Sequence, residues 1–157
     1  MDYGKSRWVL GHDVKPLESA PEFALMEIVS RLGVPGPPPH FHDQITEFFY
    51  VVKGSLDLMT DGKWRTLEAG SNALVPPGTT HTFINNGDQD ATWLTTFSPR
   101  GFEAFFEEFG ASEPGEEGFQ ASVSPEVLAR VGATCADFGM IIKEPAAASQ
   151  GCKPVSK

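Results

Sequence analysis

A chain of 157 residues, 40% hydrophobic and 21% charged, is long enough to bury one hydrophobic core and too short for two. Its net charge of −9 argues against nucleic acid and anionic membrane surfaces as partners, because both attract basic patches. No apolar run approaches the roughly 18 residues of a membrane helix, the opening MDYGKSRWVLGHD lacks the apolar core of a secretory signal, and the cysteines are Cys135 and Cys152 alone, so a reducing cytoplasm is the expected location.

The 16 glycines and 13 prolines fall between short apolar runs, the punctuation of many strands joined by tight turns. Strands are predicted over 22–30 (EFALMEIVS), 46–54 (TEFFYVVKG), 55–60 (SLDLMT), 63–68 (KWRTLE), 72–78 (NALVPPG), 81–86 (HTFINN) and 91–98 (ATWLTTFS). Asp61-Gly62 is a pair that favours a two-residue hairpin. Strands at this spacing indicate an all-β sandwich or barrel. After Ser98 the period changes. In SPRGFEAFFEEFG, Ser98 reads as a cap, Pro99 as the first helical position and Gly110 as the stop, with Phe102, Phe105, Phe106 and Phe109 on one stripe. SPEVLARVG (124–132) repeats that logic and turns Val127, Leu128 and Val131 inward. Both helices are expected to pack outside the β domain, with a dimer interface or a lid as the alternative role for the Phe stripe. EPGEEG (113–118) reads as a solvated acidic loop and EPAAASQGCKPVSK as a disordered tail. The expected organisation is one domain over 1–145, with a barrel core at about 20–98 and a helical extension at 99–145, then a flexible tail over 146–157.

The stretch PPPHFHDQITEFFYVVKG (37–54) concentrates the chemistry. On an extended chain His40 and His42 point to one face, since side chains alternate. Glu47 lies an odd number of residues from His42, so HDQIT has to bend for the three to converge. From Glu47 onward, Glu47, Phe49 and Val51 share one face. Further on, Pro76, Pro77 and Gly78 force a turn that delivers His81 to the start of a strand, with Phe83 and Asn85 on its face. Imidazoles and a carboxylate together suit a divalent transition metal. The pocket would be lined by Phe49, Val51 and Phe83, with Met26, Ile28 and Trp93 contributing. His12 is expected to be an ordinary buried or surface histidine. Arg65 and Lys63 beside the hairpin turn are expected to be solvated.

These stretches resemble the two signature motifs of the cupin superfamily: His40-x-His42-x4-Glu47-x6-Gly54, then Gly70-x5-Pro76-x-Gly78-x2-His81-x3-Asn85. Val34 stands where the family's first motif usually has glycine, with Gly33 and Gly36 beside it. The resemblance implies a single antiparallel jelly-roll β-barrel and a homodimer. It also implies one divalent metal per chain (Fe, Mn, Ni, Co, Cu or Zn), held by His40, His42, Glu47 and His81. More narrowly, FYVVKGSLDLMTDGKWRTLEAG and FSPRGFEAFFEEFG are similar to bacterial single-barrel proteins grouped with quercetin dioxygenases. That likeness implies a small aromatic or apolar oxygenated substrate, molecular oxygen as co-substrate, and Glu47 as the catalytic group that takes the substrate proton. Non-redox alternatives on the same site are a cyclase, isomerase or lyase acting on a polyketide-like substrate. A barrel that binds a small ligand without turnover is the remaining one.

Overall fold

The structure is a computed structural model that describes residues 3–143; the tail expected to be disordered, with Cys152, lies outside them. The described chain forms strands β1 (Arg7–Val9), β2 (His12–Ala20), β3 (Phe23–Ser30), β4 (His40–Phe41), β5 (Thr46–Lys53), β6 (Ser55–Thr60), β7 (Lys63–Glu68), β8 (Asn72–Val75), β9 (His81–Ile84) and β10 (Ala91–Ser98). Helices α1 (Glu103–Phe109), α2 (Gly115–Ser122) and α3 (Pro125–Thr134) follow, then a 3-10 turn at Cys135–Phe138 and a last strand, β11 (Ile141–Ile142). Among the described residues no helix is long and apolar enough to cross a membrane.

Two antiparallel sheets face each other in a jelly-roll arrangement. One has the order β1-β2-β3-β10-β5-β8 and the other β11-β4-β9-β6-β7. Alternation does the sorting: in β5 Glu47, Phe49 and Val51 are buried, while Tyr50 and Val52 face outward. Between the sheets Phe49 stacks on Trp93 with ring centroids 5.1 Å apart, and Phe83 meets Trp93 edge-on at 4.9 Å. Asp61 and Gly62 both take positive φ (48° and 82°), the twist a two-residue hairpin between β6 and β7 requires.

Several expectations need correction. β1, β2 and β11 were not foreseen. Pro16 argues against a strand at 12–20, yet it lies beyond the stretch of β2 that β1 covers, and its carbonyl accepts from Gly4 N–H at 2.9 Å. Helix α1 does not begin at Ser98. Ser98 ends β10 with its hydroxyl on Glu22 O, and the helix starts at Glu103 with no side-chain cap. The acidic loop at 113–118 is instead largely the first turn of α2, where Glu116 and Glu117 sit near the positive end of the helix dipole. In α3 Ser124 does cap, accepting from Val127 N–H, and Val131 is buried, but Leu128 stays half exposed.

Asn85, fully buried at the end of β9, ties the sheets together. Its amide donates to Ser30 O at 2.9 Å and Gln89 O at 2.8 Å and accepts from Gly87 N–H at 3.1 Å. Replacing it by leucine strands those partners, so Asn85→Leu should lose about 2–4 kcal/mol in urea unfolding; a loss under about 0.5 kcal/mol would contradict this reading.

Candidate metal centre

The site is built at one end of the space between the sheets. The β4–β9 pairing sets His40 directly opposite His81, and β5, in the other sheet, brings Glu47 toward them. After the two-residue β4 the chain leaves the sheet over 42–45 and re-enters as β5, which supplies the bend that lets His42 and Glu47 converge. Gly78 fixes the facing turn: its N–H donates to His42 O at 2.8 Å, with φ at +79°. One ligand atom from each of His40, His42, Glu47 and His81 lies within 4.8 Å of the others, and all four residues are buried.

Each imidazole is held by its outer nitrogen. Nδ1 of His40 donates to Pro38 O at 2.9 Å, that of His42 to Gly139 O at 2.7 Å, and that of His81 to Thr79 O at 3.0 Å. With Nδ1 carrying the proton, Nε2 of each ring is the atom left to face the cluster, which is how metal-ligating histidines are oriented. His42 Nε2 is buried with no hydrogen-bond partner and stands 3.7 Å from Glu47 Oε2. An orphaned lone pair in that position costs free energy unless a cation meets it. The donor set therefore fits a divalent transition metal.

Protonation follows from the same contacts. Burial, with His81 beside it, lowers the pKa of His40 to about 3, so that ring is neutral. Burial alone would raise Glu47, but the facing His42 and His81 outweigh it and hold the carboxyl well below the usual range. Glu47 Oε1 also accepts from the buried Thr95 hydroxyl at 3.0 Å. Burial disfavours a charge on His81, yet its 2.9 Å bond from Nε2 to Glu47 Oε2 raises its pKa. Both His81 nitrogens face acceptors, so without metal this ring is an imidazolium.

Beside the cluster is a cavity of about 50 Å³. Phe83 and Trp93 line it, as does Ile28, whereas Phe49, Val51 and Met26 sit in the core behind its wall. Phe102, Phe105 and Phe106 line it too. The stripe of α1 thus closes the mouth of the chamber instead of packing on the outer surface, with Phe102 edge-on to His42 at 4.8 Å. Among the described residues no lysine or arginine lines the cavity, and Lys63 and Arg65 are exposed in β7. His12, read as an ordinary histidine, also lines the chamber; burial lowers its pKa to about 4, and its Nδ1 has no partner. Thr95 and Gly139 O carry no local pattern, being partners contributed from 48 and 97 residues away along the chain.

The family model for the cupin domain matches residues 32–97, which contain all four candidate ligands. Residues 32–97 form a cupin domain. Polyketide synthase CurC of Streptomyces cyaneus is 37% identical to this chain over 60 residues, covering 38% of this chain and 39% of that protein. Among solved structures, KdgF from Halomonas sp. superposes with a TM-score of 0.54 at 27% identity, covering 57% of this chain and 80% of that one. An RmlC-like cupin from Shewanella frigidimarina NCIMB 400 gives 0.56 at 26% identity, covering 62% of this chain and 85% of the other.

Loading a metal must displace the Nε2 proton of His81, while His40 and Glu47 are already deprotonated at neutral pH. Metal affinity should therefore rise with pH below the raised pKa of His81, by up to about tenfold per unit, and level off above it. Calorimetry in buffers of different ionisation enthalpy should show up to about one proton released per metal in that window. Zero release throughout it would contradict the imidazolium assignment.

Proposed function

We propose that this protein is a metal-dependent enzyme acting on a neutral phenolic or enolic molecule, and that its reaction is a dioxygenation of quercetinase type. The observation that carries this reading is the pairing of an ionised, acceptor-only carboxylate with three imidazole Nε2 atoms inside an apolar chamber. When bound, a divalent transition metal would polarise a substrate oxygen, as it lowers the pKa of water from ~15.7 toward ~7, and a redox-active one would give access to oxygen chemistry.

The chain's own residues do the rest. Glu47 would take the hydroxyl proton, while the Thr95 hydroxyl on Oε1 and His81 on Oε2 hold the carboxylate in one orientation. Its low proton affinity reflects the facing His42 and His81 imidazoles, which outweigh burial. Phe83, Trp93, Phe97 and Phe102 exclude water, which strengthens every polar contact inside. A chamber of about 50 Å³ suits a diatomic gas beside the reacting oxygen of a larger molecule. The lack of a cation in the lining disfavours phosphorylated sugars.

A second reading is favoured by the likeness to CurC, a protein named as a polyketide synthase. Deprotonation by Glu47 without oxygen would serve a cyclase, isomerase or lyase on a polyketide-like substrate, with zinc as the metal.

Oxygen uptake by metal-loaded protein, screened with flavonols and catechols, tests the first reading. Glu47→Gln should lower kcat by about 10²–10⁴-fold, with metal content measured on the same sample. Turnover without oxygen consumption would move the assignment to the second reading. Binding without any turnover would leave a ligand-binding barrel and sink both.

A further inference from the structure

On the outer side of the metal chamber lies a second, larger concavity of about 490 Å³, between the segment 33–38 and helices α2 and α3. Val34, Pro35 and Pro38 form one wall; Phe119, Val123 and Leu128 form the other. Every residue lining this groove is apolar or glycine, and its volume is that of a small-molecule site.

The groove and the chamber share a boundary one residue thick. Leu10 and Pro37 line both. Gly36 lies so close to the ring of Phe83, a chamber residue, that a Cβ there would meet it at 2.9 Å. His12, inside the chamber, bonds through Nε2 to Pro35 O in the groove wall at 3.1 Å. Leu10 is held on this boundary by the two-residue hairpin that joins β1 to β2, with φ at +50°. The chamber alone, about 50 Å³, holds only the reacting end of a substrate.

We infer that the outer groove binds the apolar body of the substrate, while its oxygenated head passes Leu10 and Pro37 to reach the ligand cluster. This rests on the metal-dependent reading of the site and adds a substrate class to it. The substrate is an uncharged molecule with an extended apolar portion joined to a small oxygen-bearing head. A charged body would be stranded, because the groove offers no side chain to pair with it. The proline run that opens the first motif thereby has a use: it is the rigid wall between body and head, with His12 the first polar side chain inside.

Linear alkyl hydroxamates test this, since the head binds zinc and the tail reports on whatever adjoins it. Zinc-loaded full-length protein is titrated calorimetrically with the series from acetohydroxamate to decanohydroxamate. Affinity should rise about threefold to fourfold per methylene once the tail enters the groove, then plateau. Leu128→Glu, at a half-exposed position away from the cluster, should flatten that slope while leaving zinc content and the acetohydroxamate Kd unchanged. A flat series in the native protein overturns the inference, as does a slope that survives Leu128→Glu. Failure of acetohydroxamate itself to bind is a different result: it removes the metal reading, and this inference with it.

Discussion

Three backbone carbonyl oxygens, those of Pro38, Thr79 and Gly139, decide which way His40, His42 and His81 face. Each accepts from Nδ1, and each therefore turns an Nε2 toward Glu47. They come from three separate parts of the chain: the lead into β4, the turn before β9 and the residue after the 3-10 turn. The site exists only when both sheets have closed and the C-terminal segment has docked. That docking is visible in the pairing of β11 with β4 and in Lys143 N–H on Pro39 O at 2.8 Å. Gly139, outside the matched cupin domain, thus orients one ring of the candidate metal centre, as the motif turns orient the other two.

The arrangement is costly without a cation. A buried carboxylate, a buried imidazolium and an orphaned Nε2 sit together in an apolar end of the core, where desolvation of charge is expensive. A metal replaces the shared proton and satisfies the orphan, so binding and stability are linked. The aromatic stripe of α1 adds the second constraint. By closing the mouth it keeps the chamber dry, and it leaves the larger organic part of a substrate to be accommodated elsewhere.

How much of this was legible in the sequence depended on whether the signal was local. The strands from 46 to 98 show period-two alternation and firm turn pairs, and the ligand spacing survives intact, so barrel and ligands could be read directly. β2 could not, because Pro16 is acceptable only given the short reach of β1. Leu128 was assigned inward because periodicity identifies a helix face without saying whether that face meets a packed core or an open groove. Thr95, Gly139 and His12 carry no local mark at all: their partners lie 48, 97 and 23 residues away. Cavity size was invisible for the same reason, since it is set by where α1 comes to rest.

The central claim is that four side chains form one metal site, and the most direct measurement is metal content by plasma mass spectrometry on untagged protein, beside His81→Ala and His42→Ala. The account predicts about one divalent transition metal per chain in the native protein, lost in both variants while their circular dichroism remains that of a folded β domain. A natively folded protein that takes up no metal under any loading condition would contradict it, as would one that keeps its metal when either histidine is removed.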